Sequence, residues 1–136
     1  MRFTDDGSIY LLRKTQMNGR HAELFTYCLH DSLAADMKSY GFSTSYYEAT
    51  STDEEPGLYF VRDFDGDVAK FYLCFSEAPN IYELYLEEPD EPNDKLVAIL
   101  EGAGFKEKEG WLTKDVERSD IQAQVLALAR SFAQQT

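Results

Sequence analysis

The sequence predicts an α+β domain with a mostly antiparallel sheet of about five to six strands and helices packed on one of its faces. Three observations carry this. Four short segments rich in Tyr, Phe, Val and Ile follow one another at 42–50, 57–64, 67–76 and 80–87, separated by "DEEPG", "DG" and "EAPN", as hairpin-linked strands are. Three stretches carry apolar residues at helical spacing and flank or interrupt these strands. The resulting order, β-α-β-β-β-β-α-β-α, places hairpins between helices, which favours an antiparallel sheet over a parallel one.

The elements justify themselves in order. "SIYLLRK" (8–14) has strand composition and follows the turn signal "DDG". From His21 to Tyr40 the period changes, and Phe25, Cys28, Leu29, Leu33, Met37 and Tyr40 form one apolar helical face. Gly41 follows where a helix end favours a left-handed residue. After the four strands, "EEPDEPND" (87–94) holds two prolines and five acids. It reads as a solvated loop ending in Asn93, an N-cap for a helix over 94–103 that stops at Gly104. A strand is predicted over 105–114, and a last helix over 119–134 opens with a capping box of Ser119 and Gln122. "LAADMKSYGF" (33–42) and "LVAILEGAGF" (96–105) match in Leu, Ala, Gly and Phe, which a recurring helix-stop motif explains without duplication.

Length and composition bound the rest. The chain has 136 residues, the size of one domain, 1–136, and 43% of them are hydrophobic, enough for a buried core. No apolar run approaches the roughly 20 residues of a membrane span, and the N-terminus has no secretory pattern, so cytoplasmic residence is expected. The net charge of −12, from 25 acids against 13 bases, repels phosphate backbones and argues against direct nucleic-acid binding. Two cysteines are too few for a disulfide framework, and Cys28 and Cys74 are read as small buried hydrophobes.

The sharpest local signal is "FVRDFDGDVAKF" (60–71), where Asp63, Asp65 and Asp67 crowd Gly66. An EF-hand is excluded by spacing, because the sixth residue from Asp63 is Val68 and the twelfth Cys74. "YFVRDFDGDV" resembles the first motif of haloacid dehalogenase-type phosphatases, an apolar strand ending in D-x-D-G-[TV]. That resemblance implies Asp63 as nucleophile and Asp65 as acid/base, sharing Mg²⁺. It covers about ten residues. Asp67 stands where the family has threonine, Arg62 interrupts the strand, and a second strand follows where the family has a helix. A tight hairpin explains more: Asp-Gly between two apolar runs suits a turn with two positive-φ residues. Phe64 then faces Asp67, Phe60 faces Phe71, Tyr59 faces Tyr72, and the three carboxylates diverge.

That register sorts the residues by face. Leu58, Phe60, Phe64, Ala69, Phe71, Leu73 and Phe75 form a core surface. The other face carries Tyr59, Val61, Val68, Lys70, Tyr72 and Cys74, and the next strand adds Ile81, Glu83, Tyr85 and Glu87. Tyr59, Tyr72 and Tyr85, flanked by Glu83 and Glu87, are the candidate partner-binding residues, since half-wet tyrosines suit contact surfaces. The competing reading has the last helix covering this face. That helix carries only Asp120 and Arg130 as charges between 119 and 136, and Ala123, Leu126, Ala127 and Ala133 widen its apolar surface, as for a helix buried on two sides or in a homodimer.

Catalytic constellations are scarce. His21 and His30 are the only histidines; Cys28 and His30 point about 200° apart on a helix, and "LHDS" fans outward. No phosphate loop, C-x-x-C or H-E-x-x-H occurs, so no catalytic residue, cofactor or metal is assigned. The expected function is a non-enzymatic protein-interaction module with a basic protein partner, acting through the tyrosine face and the acidic loops 51–55 and 87–94. In size, acidity and layout the chain looks broadly like small bacterial secretion chaperones and toxin-immunity proteins, with no motif that carries a site over. The alternatives are a nucleic-acid mimic and a Mg²⁺-dependent hydrolase using Asp63 and Asp65.

Overall fold

In the computed structural model, Asp65 (φ 53°) and Gly66 (φ 83°) turn the chain between β2 (Gly57–Phe64) and β3 (Asp67–Phe75). Both lie in the left-handed region, as a two-residue turn matching strand twist requires. Leu58 pairs with Leu73, Tyr59 with Tyr72, Phe60 with Phe71 and Phe64 with Asp67, the register the sequence predicts. The structure describes residues 19–47, 57–75 and 80–134, with side chains from Cys28 onward except that of Phe75. The predicted strand 8–14 and the acidic loop 51–55 lie outside the described residues, as do the side chains of His21, Phe25 and Phe75.

Helix α1 (Gly19–Ser39) precedes β1 (Ser43–Tyr47), and β4 (Ile81–Glu88) follows β3. Helix α2 (Asp94–Gly102), β5 (Lys106–Lys108), β6 (Trp111–Glu117), a 3₁₀ turn (Arg118–Asp120) and α3 (Ile121–Gln134) complete the order. Among the described residues six strands lie in the order β1-β2-β3-β4-β6-β5, and each neighbouring pair is antiparallel. Two predicted boundaries change. The strand expected over 105–114 is a hairpin, turned by Glu109 (φ 53°) and Gly110 (φ 86°). The capping box at Ser119 gives way to the 3₁₀ turn, and the last helix starts at Ile121.

Leu29, Leu33 and Met37 of α1, Leu96 and Leu100 of α2, and Val125 and Phe132 of α3 join the sheet's Leu58, Phe60, Phe71 and Leu84 in one buried cluster. Phe132 is at its centre, edge-on to Phe42 (5.3 Å), Phe64 (5.2 Å) and Phe71 (5.8 Å). The last helix therefore covers the core face and not the tyrosine face. Its stripe is spent there; Ala123 and Ala127 remain exposed. Cys28 is exposed and Cys74 half-buried, correcting the expectation that both are core. The α1 stripe follows Leu29, Leu33 and Met37 at i, i+4 spacing, and Cys28 is one helical step of about 100° away.

The repeated helix-stop motif has a structural counterpart. At the end of α1 the Gly41 N–H donates to the Lys38 carbonyl (3.0 Å) and the Phe42 N–H to the Met37 carbonyl (2.9 Å). At the end of α2 the Gly104 N–H donates to Glu101 (3.1 Å) and the Phe105 N–H to Leu100 (2.9 Å). Both glycines have positive φ. A cation from the neighbouring strand completes each cap: Arg62 Nη1 donates to the Tyr40 carbonyl (2.7 Å) and Lys114 Nζ to the Ala103 carbonyl (2.6 Å). Arg62, the residue that interrupts an apolar strand, therefore caps a helix. Two helix–strand–strand units of one design thus sit at opposite edges of the sheet.

Candidate interaction face

The sheet face away from the helices carries a row of aromatic rings. Tyr59, Tyr72 and Tyr85 are cross-strand neighbours on β2, β3 and β4. Tyr59 and Tyr72 stack with centroids 4.6 Å apart, and Tyr72 meets Tyr85 edge-on at 5.6 Å. Tyr47 of β1 packs edge-on against Tyr59 and Tyr72, at 6.0 Å from each. Trp111 of β6 packs against Tyr85 at 5.4 Å. The row thus crosses β1, β2, β3, β4 and β6, every described strand but β5. Gly57 makes the packing possible: a Cβ there would lie 2.6 Å from the Tyr72 ring and 2.5 Å from the Leu73 carbonyl oxygen.

Charge is interleaved with the rings. Lys70 Nζ sits 4.5 Å from the Tyr59 ring centroid and pairs with Glu87 (3.3 Å) and Glu88 (3.6 Å). Burial alone would lower the Lys70 pKa, but hydrogen bonding and charge from Glu87 raise it on balance. Burial raises the Tyr59 pKa, and Glu87 adds to the rise. Burial likewise pushes the Tyr72 and Tyr85 phenols well above their ordinary range; in a low-dielectric setting the neutral form is favoured. Glu83 lies opposite Asp115 of β6 and 3.8 Å from Lys108 Nζ.

All five residues singled out from the sequence, Tyr59, Tyr72, Tyr85, Glu83 and Glu87, come together on this one face. Tyr72 differs from expectation in being buried, at 9% exposure, because its neighbours' rings enclose it. Its role is to support the row, and Trp111, at 48% exposure, is the ring most open to a partner. Sequence reasoning missed both ends of the row. Tyr47 and Trp111 join it through the β1–β2 and β4–β6 pairings, and the second skips a whole helix. The Glu109-Gly110 turn was the available signal for Trp111, since it opens a strand in which Trp111, Thr113 and Asp115 share a face.

The aspartate cluster does not assemble. Register puts Asp63 and Asp67 on opposite faces. Asp65 at the tip accepts a hydrogen bond from Asn93 Nδ2 (3.0 Å), while Asn93 Oδ1 accepts from the Leu96 N–H (2.8 Å) and caps α2. Asp67 accepts from the Val68 N–H (2.8 Å). The hairpin tip is thereby tied to the second helix. Among the described residues no three His, Cys, Asp or Glu side chains group to hold a metal. His30 is half-buried, with Nε2 3.2 Å from the Thr44 carbonyl oxygen and Nδ1 3.5 Å from Asp31, linking α1 to β1. Among the described residues no helix is long and apolar enough to cross a membrane. The chain matches no protein-family model, no curated protein and no solved structure with which it was compared.

Proposed function

We propose that this chain is a non-enzymatic protein-interaction module that docks a basic protein partner on its aromatic sheet face. One observation carries the reading: a row of five rings, Tyr47, Tyr59, Tyr72, Tyr85 and Trp111, lies on the face that no described helix covers. Large rings beside half-exposed charge give contact area at low conformational cost and a polar rim. The net charge of −12 selects the sign of the partner and speeds its encounter. Residence in the cytoplasm and pairing of two copies through α3 belong to the same proposal as secondary features.

Hydroxyl-radical footprinting of the purified chain, alone and in extract from its native cells, tests it. Docking on this face lowers oxidation of Trp111 and Tyr85 while leaving exposed residues of the helical layer unchanged. Unchanged oxidation of the face, with protection elsewhere, contradicts the proposal.

A further inference from the structure

Beyond Tyr85 the face ends in a corner whose polar groups are incompletely used. Glu83 of β4 and Asp115 of β6 are directly opposed, an arrangement of like charges that weakens a sheet. Asp115 is exposed. Glu83 has the Lys108 ammonium 3.8 Å away. Lys108 belongs to β5, and β6 lies between it and β4, so the lysine reaches Glu83 by crossing β6. In register, Thr113 lies between the positions of Lys108 and Glu83, flanked by Trp111 and Asp115 on the same face. Thr113 is only 7% exposed, and its buried Oγ1 makes no hydrogen bond. A covered hydroxyl without a partner is costly.

We infer that this corner is a subsite for an arginine side chain of the partner, which displaces Lys108. The inference rests on the docking reading above and specifies its chemistry. Glu83 and Asp115 supply carboxylates from two strands, and exposed Glu117 lies next along β6 on the same side. Lys106 and Lys108 of β5, opposite Thr113 and Trp111, bring two cations to this edge of the described sheet; Glu87 is held by Lys70. With Lys108 swung out, the corner is net negative. A guanidinium fits its parts: a plane to lie on the half-exposed Trp111 ring, forked donors for two carboxylates, and a further N–H for Thr113 Oγ1. An ammonium lacks that plane and fork. Lys108 already shows what an ammonium achieves here, one long ion pair that leaves Thr113 unsatisfied.

The test uses the full chain, isotopically labelled, with hexa-arginine and hexa-lysine peptides as probes. Hexa-arginine is expected to bind about tenfold more tightly, the difference of one charge-assisted hydrogen bond. It should shift the Trp111 indole and Thr113 methyl resonances. Asp115→Asn, at an exposed position and expected to unfold no lower than wild type because a like-charge pair is relieved, should abolish the preference, and Lys108→Ala should strengthen binding. Equal affinities, or a preference that survives Asp115→Asn, overturn the subsite. Shifts at Tyr47 and Tyr59 alone overturn the subsite but leave the docking face standing. Shifts confined to the helical layer overturn both. Self-association that Asp115→Asn abolishes would assign the corner to a second copy, against the inference.

Discussion

Gly57 shows how much of this face depends on one absent atom. A methyl group there meets the backbone carbonyl of Leu73 at 2.5 Å and the Tyr72 ring at 2.6 Å; the ring can swing, but the carbonyl belongs to a ladder. Gly57→Ala should therefore cost about 1–3 kcal/mol of stability, the range of overpacked sites, and chemical denaturation measures it. Trp111→Ala, at a site 48% exposed, should cost about 1 kcal/mol or less. Phe132→Ala, in the centre of the buried cluster, should cost about 3–5 kcal/mol. A Trp111 loss as large as that of Phe132 would make the aromatic face a second core instead of a contact surface. Residue-scale meaning was partly legible in the sequence: Asp65-Gly66 announced its turn by type, and Asn93 its cap. Gly57 did not, because the need for a missing Cβ arises only when Tyr72 is brought over it from another strand.

At the scale of the sheet, the buried phenols make the face sensitive to alkali. Burial first, and neighbouring charges next, raise Tyr72 and Tyr85 above the ordinary value of 10.0. The folded chain then keeps protons that the unfolded chain releases, so stability is full below about pH 10 and falls as pH rises beyond it. We expect tyrosinate absorbance from these rings to appear together with loss of near-ultraviolet circular dichroism, as one unfolding event. Titration of all tyrosines near their ordinary value in a chain that stays folded would contradict the packing of the row. Hairpins with local registers, such as β2–β3, were legible element by element. The order β3-β4-β6-β5 was not, since the β4–β6 pairing spans α2 and β5 and leaves no local trace. The Glu109-Gly110 turn was overlooked for a simpler reason: glutamate is an uncommon first residue for a turn of that kind.

For the whole molecule, charge is the governing quantity. With 25 acids against 13 bases, the free chain repels itself, and salt relieves this by shortening the Debye length from about 30 Å at 0.01 M to about 8 Å at 0.15 M. Raising ionic strength should thus raise the unfolding midpoint of the free chain while weakening its complex with a basic partner. Opposite signs in the two measurements separate docking by charge and aromatic contact from a purely apolar association, which salt leaves intact. The fold class could be foreseen because hydrophobic period and turn chemistry are local. The face could be foreseen in its middle, at Tyr59, Tyr72 and Tyr85, and not at its ends, where Tyr47 and Trp111 enter through sheet order alone.

The most direct measurement is affinity capture from native cells at low salt, comparing the tagged chain with a Tyr59→Ala, Trp111→Ala variant shown by circular dichroism to be folded at the capture temperature. The account predicts a stoichiometric basic protein retained by the wild-type chain, released by salt and lost from the variant. A partner held equally by both chains, or no partner on either, would contradict it.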